Sequence, residues 1–295
     1  MPIAAPANDE APPEPGEWSL EALRGELDRL DEALHEILIE RAEVVARLAR
    51  LRLKPGVALR PGREAEIVRR RLARHHGPLP PAAIVRIWRE LLAGTTAMQG
   101  AFAVAVCEAD RAGGYAALAR EQFGALTPMR LHHSPARAIA ELSAGTAAVA
   151  ILPFPAEGDP ATAWWQTLSA RDAPRVHVVA RLPFWAPRPE GSAPLSALVL
   201  STALPDPSGN DRSLLGLAFG PHLSRTRLVA ALVASGFAPG MVLIERDPAA
   251  GLARALGEVA GFVTEADPRL AGLDVLAEPP AVLGAYAVPA GGLPS

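Results

Sequence analysis

The chain has 295 residues, enough for two domains or three small ones, and 49% of these residues are hydrophobic, so it can bury a core. The net charge of −3 and the isoelectric point near 6.2 exclude a general affinity for nucleic acid, which requires a basic surface. The single cysteine, Cys107, excludes an internal disulfide framework and is typical of a core thiol in a reducing cytoplasm.

Residues 1–17 are rich in Pro, Ala and acidic residues, a composition that predicts a disordered tail. They lack the basic start and the apolar run of a signal peptide. Nowhere does the sequence contain the uncharged apolar run of about 18 residues that a membrane span requires. The histidines show no spacing typical of metal ligands, since His132 and His133 are adjacent rather than four residues apart. We therefore expect a cytoplasmic protein without a membrane span, a bound metal or a cofactor.

A first helix of about 34 residues is predicted between Ser19, a suitable N-cap, and the breaker Lys54-Pro55-Gly56. At 1.5 Å per residue it would be roughly 50 Å long, which exceeds the width of a small domain. Such a helix must pack against other long helices or against a second chain. A homodimer is the simplest solution.

Two arginines lie inside the apolar stripe of this helix. Arg41 and Arg52 share one face with Leu38, Val45 and Leu48, because residues alternately four and three apart lie on the same side. A buried guanidinium without an anionic partner is costly, since its charge cannot be titrated away. The stripe therefore predicts an anionic group that contacts both arginines.

Two further helices are predicted, over residues 63–76 and from Pro80-Pro81 to about Gln99. The apolar face of the third helix is predicted to contain Ile84, Trp88, Leu91, Thr95 and Met98. Seven polar side chains enter the faces of the three helices: Arg24, Arg41, Arg52, Arg63, Glu64, Thr95 and Gln99.

These seven side chains describe a pocket for a small dianion that also carries a hydroxyl group. They comprise four guanidinium groups, one carboxylate, one hydroxyl and one amide, and no nucleophile is paired with a base. The alternative is that each arginine only extends to solvent or pairs with a glutamate of a neighbouring helix. That alternative suits one arginine taken alone better than the whole set.

The segments LEALRGELDRLDEALHEILIERAEVVARLARLR, GREAEIVRRRL and IWRELLAGTTAMQ resemble the all-helical chorismate mutases over residues 18–100. The resemblance implies an all-α domain with a long first helix in an intertwined dimer. It also implies rearrangement of chorismate to prephenate in phenylalanine and tyrosine biosynthesis. Substrate-binding positions carry over to Arg24, which reaches into the partner subunit's site, and to Arg41, Arg63 and Thr95, and catalytic positions to Arg52, Glu64 and Gln99.

Two departures from the family pattern affect this site. Arg52 stands where the family has a lysine, which keeps the charge but changes the donor geometry. The loop R-P-G-R-E from Arg60 is one residue shorter than the family's and lacks its aspartate.

Beyond residue 100, short Ala/Val-rich strands alternate with helices, which predicts a parallel sheet with crossovers. Strands are predicted over 102–106, 129–132, 147–152 and 176–180, with helices over 115–123 and 135–144. Residues 183–194 are predicted to cross to a second lobe. That lobe would contain strands over 214–219, 241–245, 259–263 and 281–288 and helices over 224–236 and 249–256. Two lobes of comparable size imply a ligand cleft between them.

Residues 101–295 resemble the prephenate dehydratase domain, whose two-lobed fold is similar to type II periplasmic binding proteins, in fragments such as GGYAALAREQF and AVAILPFPAEG. The family's G-S-Y-S is Gly113-Gly114-Tyr115-Ala116 here, its P-I-E-N is Pro153-Phe154-Pro155-Ala156, and its T-R-F motif has no counterpart. The resemblance therefore implies a degenerate, non-catalytic α/β domain. A regulatory role for this domain, with an aromatic amino acid as effector, is compatible with it.

Three alternatives stay open. The last ninety residues could form a regulatory ACT module, because AVLGAYAVP resembles its ending, although a helix over 249–256 does not fit that topology. The helical domain could be an isochorismate pyruvate lyase of the same fold, which would release salicylate and pyruvate. It could also be a non-enzymatic regulator that binds a ligand of the pathway, against which the intact pocket residues argue.

Overall fold

The computed structural model describes residues 19–51, 58–109, 113–169, 174–188, 190–247 and 251–291. The chain divides into a first unit that ends at Leu53 and a second that begins at Lys54. The first contains helix α1 (Leu20–Leu51), and the second contains helices α2 (Pro61–Arg74) and α3 (Pro81–Ala97) followed by an α/β domain. The expected fold class, a helical segment with a long first helix followed by an α/β domain, is confirmed.

Helix α1 begins at the predicted cap, where Ser19 Oγ accepts a hydrogen bond of 3.1 Å from the Ala22 N–H. Its 32 residues agree with the predicted length. None of these residues is buried, and Leu27 in the apolar stripe is 59% exposed. Within the described part of this unit, nothing covers the stripe. Among the described residues, no helix has the combination of length and apolarity that crossing a bilayer requires.

The first half of the α/β domain contains five strands, two α-helices and a 3-10 helix. The strands are β1 (Val104–Cys107), β2 (Met129–His132), β3 (Val149–Pro153), β4 (His177–Leu182) and β5 (Ala197–Ser201). The α-helices are α4 (Gly114–Phe123) and α5 (Pro135–Ser143), and the 3-10 helix spans Pro160–Ser169. Strand β1 pairs in parallel with β2 and β3, as predicted, whereas β5, which the sequence did not indicate, pairs antiparallel with β3 and β4.

The second half contains β6 (Asp211–Phe219), α6 (Arg225–Ala234), β7 (Pro239–Asp247), β8 (Leu252–Ala260), a 3-10 helix (Pro268–Gly272) and β9 (Ala281–Ala287). Its strands lie in the order β9-β6-β8-β7, and every neighbouring pair within this half is antiparallel. This is the β-α-β-β-α-β arrangement of ferredoxin-like folds, with the second helix reduced to a 3-10 helix. An ACT-like ending was disfavoured because a helix over 249–256 does not fit its topology. The observed order of strands and helices fits that topology, so this objection does not apply.

The helix predicted over 249–256 is wrong where the structure describes it, and the strand predicted over 259–263 overlaps the observed strand only at residues 259 and 260. Residues Leu252–Ala260 form strand β8, which lies between β6 and β7 and is buried on both faces. A strand buried on both faces has no polar alternation, so its apolar run cannot be distinguished from a buried helix by periodicity. Pairing with two neighbouring strands, which is non-local in the sequence, determines the outcome.

The strands expected in two lobes form one sheet of nine strands, in the order β2-β1-β3-β5-β4-β9-β6-β8-β7. The halves meet where Val178 of β4 pairs in parallel with Gly284 of β9. One buried apolar cluster contains Leu200 from the first half, Leu256 and Tyr286 from the second, and Trp164 from the 3-10 helix. The two expected lobes are therefore halves of a continuous layer.

A buried polar cluster also joins the two halves. Tyr286 Oη donates to Glu258 Oε2, and Arg181 Nη1 lies 3.3 Å from Tyr286 Oη and 3.6 Å from Glu258 Oε2. Burial and the neighbouring Glu258 carboxylate raise the pKa of Tyr286. The phenol therefore remains a donor, and the three side chains connect β4, β9 and β8 across the junction.

Helices α2 and α3 form a hairpin that packs on the α/β domain. Ala65 and Val68 of α2 join Val85 and Leu92 of α3 in a buried cluster that also contains Phe184 and Ala287. The residues of α3 that are buried are Val85, Arg89, Leu92 and Thr95. The predicted apolar face of α3 is therefore wrong, apart from Thr95. The buried face is displaced from it by one residue, or about 100° around the helix.

The shift has a structural cause. Helix α3 packs against both α2 and α4, so Ile84, Trp88 and Leu91 are half-buried on the flanks of the buried line. Met98, assigned to the apolar face, is 46% exposed. Apolar residues on the flanks of a helix with two neighbours shift the apparent centre of its apolar face.

Candidate functional site

The seven predicted site residues differ in where the structure places them. Arg24 and Arg41 lie on α1, where Arg24 is exposed and Arg41 is half-buried. Arg52 lies outside the described residues. The other four are on or directly after the helices of the α2–α3 hairpin: Arg63, Glu64, Thr95 and Gln99.

Glu64 is largely enclosed, with 13% of its side chain exposed. Its Oε2 accepts a hydrogen bond of 3.1 Å from Arg89 Nη1, and only 4% of the Arg89 side chain is exposed. Burial raises the pKa of the Glu64 carboxyl, the Arg89 guanidinium acts in the opposite direction, and Asp206 raises it further. The carboxylate is therefore held by one cation in surroundings that disfavour its charge.

Arg89 is a residue of this site that the sequence reasoning missed. Its guanidinium carbon lies 4.5 Å from the centroid of the Phe184 ring, which belongs to the segment after β4. The sequence did contain an indication that Arg89 is buried. Arg89 is four residues after Val85 and three before Leu92, so it lies on the same face of α3 as these buried residues. The misplaced apolar face of α3 concealed it.

Arg63 lies beside Glu64 in sequence but does not share its partner. Its guanidinium is exposed and forms an ion pair of 2.8 Å with Glu66. An exposed ion pair of this kind is weak, so a dianionic ligand can compete for the guanidinium at little cost.

Thr95 and Gln99 lie one turn apart at the end of α3. The Thr95 hydroxyl donates to the carbonyl oxygens of Leu91 and Leu92, at 2.9 and 3.1 Å. Gln99 Nε2 donates to the Thr95 carbonyl oxygen at 3.1 Å. The second amide proton of Gln99 can still serve a ligand.

The start of α2, which carries Arg63 and Glu64, is capped from a distant part of the chain. Asp206, in the loop between β5 and β6, accepts from the backbone N–H groups of Gly62 and Arg63 at 3.0 and 3.1 Å and from Arg60 Nε at 3.2 Å. A side chain at Gly62 would come within 2.2 Å of the Asp206 carbonyl oxygen. The carboxylate satisfies two N–H groups that a helix start leaves unpaired, and it complements the helix dipole.

In the α/β domain, the start of α4 is occupied by the protein's own carboxylate. The buried side chain of Glu108 accepts from the backbone N–H groups of Tyr115 and Ala116, at 3.2 and 3.0 Å. This helix start follows Gly113, in the sequence Gly113-Gly114-Tyr115-Ala116. The N–H groups of Tyr115 and Ala116, which could otherwise bind an anion, are therefore already paired.

The segment Pro153-Phe154-Pro155-Ala156 also has backbone groups engaged internally. Trp164 Nε1 donates to the Pro153 carbonyl oxygen at 3.0 Å, and the Ala156 N–H donates to Thr162 Oγ1 at 2.9 Å. The Phe154 ring lies under Arg181, with 4.4 Å between the guanidinium carbon and the ring centroid. These contacts give the segment a role in packing.

Cys107 is fully buried in β1, as expected for a core thiol. Burial, with a smaller effect from Glu108, raises the pKa of the thiol to about 11. At neutral pH it is protonated and therefore a poor nucleophile.

Fold and site together define an α2–α3 hairpin with a buried carboxylate–arginine pair, packed on an α/β domain. Residues 23–100 match the family model of chorismate mutase type II, which identifies the helical segment as a domain of that family. No curated protein matches the chain.

Several solved structures are similar to about two thirds of the chain. A quorum-quenching acylase, GqqA, is 16% identical over 64% of this chain and 96% of its own, with a TM-score of 0.48. The prephenate dehydratase of Arthrobacter aurescens, in complex with L-Phe, is 13% identical over 65% of this chain and 93% of its own, also with a TM-score of 0.48. The prephenate dehydratase of Streptococcus mutans is 11% identical over 63% of this chain and 98% of its own, with a TM-score of 0.45. Likenesses of this degree do not assign an activity.

Proposed function

We propose that the chain is a chorismate mutase, which rearranges chorismate to prephenate within one molecule. The observation that supports this most strongly is the family match over residues 23–100, within which every predicted site residue falls. The reaction is pericyclic, so no protein group has to bond to the substrate or move a proton. Holding the reactive conformer can contribute several kcal/mol, with an upper range of roughly 7–11 kcal/mol for well-oriented groups.

Arginine side chains are suited to holding the two carboxylates of the substrate. In the proposed site Arg24, Arg41 and Arg63 bind these carboxylates, because a guanidinium presents paired donors that match carboxylate geometry. Thr95 contributes an additional polar contact. Clamping both carboxylates restrains the flexible side chain of chorismate over its ring.

The remaining residues act on charge that develops during the rearrangement. As the ether C–O bond breaks, negative charge grows on the ether oxygen, and fixed donors there stabilise the transition state more than the ground state. Arg52 and Gln99 are the proposed donors, each worth on the order of 3 kcal/mol by analogy with oxyanion-hole groups. Glu64 accepts a hydrogen bond from the ring hydroxyl and so discriminates against analogues that lack it.

A product assay tests this proposal. The purified full chain is given chorismate and, separately, isochorismate, and prephenate, salicylate and pyruvate are quantified. Prephenate formed at enzymatic rates supports the mutase. Salicylate and pyruvate from isochorismate would identify the lyase instead, and specific binding of chorismate without any product would favour the non-enzymatic regulator.

The exposed stripe of α1 supports a homodimer in which Arg24 serves the partner subunit's site. Burying large apolar side chains such as Leu27, Leu34 and Ile37, all exposed in the single chain, would stabilise such a dimer. Mixing inactive Arg24→Ala chains with inactive Gln99→Ala chains should therefore restore part of the mutase activity, because some heterodimers contain one intact site. The measurement is activity after subunit exchange, with exchange itself followed by mass or fluorescence. No recovery despite complete exchange would place Arg24 in the site of its own chain.

We propose that the α/β domain lacks prephenate dehydratase activity. Expelling water and carbon dioxide from prephenate requires an acid and carboxylate-binding donors, which the side chains of Ala116, Pro155 and Ala156 cannot supply. The Glu108 carboxylate at the start of α4 would also repel an anionic substrate there. The purified chain should therefore form no phenylpyruvate from prephenate above the acid-catalysed background. Formation at enzymatic rates, at any pH where the mutase works, would contradict this.

A regulatory role is the second proposal for the α/β domain. The ferredoxin-like order β9-β6-β8-β7 is the observation that favours an ACT-like module at the C-terminal end. Mutase activity and direct binding should be measured with phenylalanine and with tyrosine. Binding of either amino acid to residues of this half, together with a change in activity, supports the role.

A further inference from the structure

The buried ion pair between Glu64 and Arg89 leaves part of the carboxylate available. Arg89 Nη1 bonds to Oε2 of Glu64, so Oε1 can accept a second hydrogen bond. Taking two charges out of water is costly, and such a pair is favourable only where other groups hold its geometry. The structure therefore has to hold Arg89 from its other side.

The α/β domain does so with Phe184. This ring is itself buried, and it lies in contact with the guanidinium, 4.5 Å from ring centroid to guanidinium carbon. A cation over an aromatic face is stabilised by the ring quadrupole, most strongly when both groups are shielded from water. The arginine is thus held by the helical hairpin on one side and by the α/β domain on the other.

The same domain also positions the backbone of α2. Asp206, in the loop between β5 and β6, caps the first turn of α2, as described above. Two turns later in α2, Arg69 bonds to the same loop and to a residue just after β9. Arg69 Nη1 donates to Ser208 Oγ at 3.0 Å, and Arg69 Nη2 donates to the carbonyl oxygens of Asn210, at 3.0 Å, and Val288. Both the helix that carries Glu64 and the partner of its carboxylate therefore depend on residues far along the chain.

We propose that Arg89 is a positioning residue of the mutase, held by Phe184, so that the α/β domain is required to complete the site around Glu64. The inference rests on the proposed function, in which Glu64 accepts a hydrogen bond from the ring hydroxyl of chorismate. An ionised carboxylate is a stronger acceptor than the neutral acid. Arg89 favours the ionised form, whereas burial and Asp206 favour the neutral one.

Replacing Arg89 by methionine, which keeps an unbranched apolar side chain but removes the guanidinium, tests this. In the full chain, Arg89→Met should lower kcat/KM for chorismate at least about tenfold at neutral pH. The acid limb of the pH profile should move to higher pH, because Glu64 would then require a higher pH to ionise. Arg86→Met is the matched control, since Arg86 is exposed on the same helix, and its profile should match the wild type.

Three further variants distinguish a positioning role from loss of folding. Phe184→Leu, which keeps an apolar side chain, should move the acid limb in the same direction by a smaller amount, and Arg89→Lys should restore part of the activity. In a Glu64→Gln background, Arg89→Met should cost no more than about twofold, because the two residues act through one interaction. An unchanged pH profile in folded Arg89→Met, or an equally large loss in the Glu64→Gln background, would overturn the proposal.

The pH dependence of unfolding separates this inference from the proposed function. The pKa of Glu64 is raised in the folded state, so protonation of this carboxyl stabilises the fold. That stabilisation is fully present below the ordinary carboxyl pKa, and it is lost as pH rises through the folded-state pKa. In Arg89→Met this loss should extend to higher pH than in the wild type, and with Glu64→Gln added the difference should disappear. A wild-type chain without mutase activity would overturn the function, whereas unfolding profiles that do not differ would overturn the pairing itself.

Discussion

Replacing Arg41 by alanine is expected to lower kcat/KM for chorismate by at least about a hundredfold, or about 2.7 kcal/mol of transition-state stabilisation. The guanidinium lies within the apolar stripe of α1 and is half-buried, where a charged hydrogen bond to a substrate carboxylate is strong. In the proposed site, alanine would remove both donors of a bidentate contact with the substrate. Steady-state kinetics of the full-length variant provides the measurement, and circular dichroism verifies the fold.

Arg47→Ala is the matched control for this prediction. Arg47 lies on the same helix but is exposed and forms only a long ion pair of 3.4 Å with Glu43. Such pairs contribute about 0–1 kcal/mol to stability and nothing to a distant site, so the kinetics should remain within about twofold of the wild type. A folded Arg41→Ala chain with near-wild-type turnover would remove Arg41 from the site.

Replacing Gly284 by alanine should destabilise the second unit by about 3 kcal/mol or more. Gly284 has φ of +139°, and an added Cβ would lie 2.1 Å from the Val178 carbonyl oxygen and 2.5 Å from the Val178 nitrogen. These are backbone atoms of β4, so they cannot rotate aside as a side chain would. The variant must separate β4 from β9 at the junction where the two halves of the sheet meet.

Thermal unfolding measures this effect. For a unit of this size, 3 kcal/mol corresponds to a melting temperature lower by about 6–12 °C. Gly220→Ala is the control, because nothing lies within 4 Å of an added Cβ there, and its stability should change by no more than about 0.5 kcal/mol. Equal melting temperatures for both variants would mean that the β4–β9 junction is not a rigid part of the fold.

Several local features could be predicted because their causes lie within a few residues. Ser19 caps α1 through a bond to a residue three positions later, and Ser224 caps α6 in the same way. Strand β2 has the predicted bounds, and α5 differs from its prediction by one residue. Periodicity and capping act over one or two turns, so a single sequence contains all the information they require.

The candidate site was only partly predictable for the same reason. Family motifs indicate Glu64, and local spacing could have indicated Arg89, but neither shows that the two side chains pair. Phe184 and Asp206, which hold Arg89 and the start of α2, are more than ninety residues away and carry no motif. Their roles arise only when the hairpin packs on the α/β domain.

The sequence by itself determined that this protein has a helical part and an α/β part. It also determined the cap and length of α1 and the chemical types of the residues in the proposed site. Local hydrogen bonding and the 3.6-residue period suffice for these features. Only the tertiary structure decided that residues 252–260 are a strand, that Arg89 rather than Trp88 faces inward, and that Glu108 occupies the start of α4. Strand β8 and the inward face of α3 are selected by contacts with strands and loops distant in the sequence, whereas the Glu108 bonds span only seven and eight residues but require β1 and α4 to be packed together.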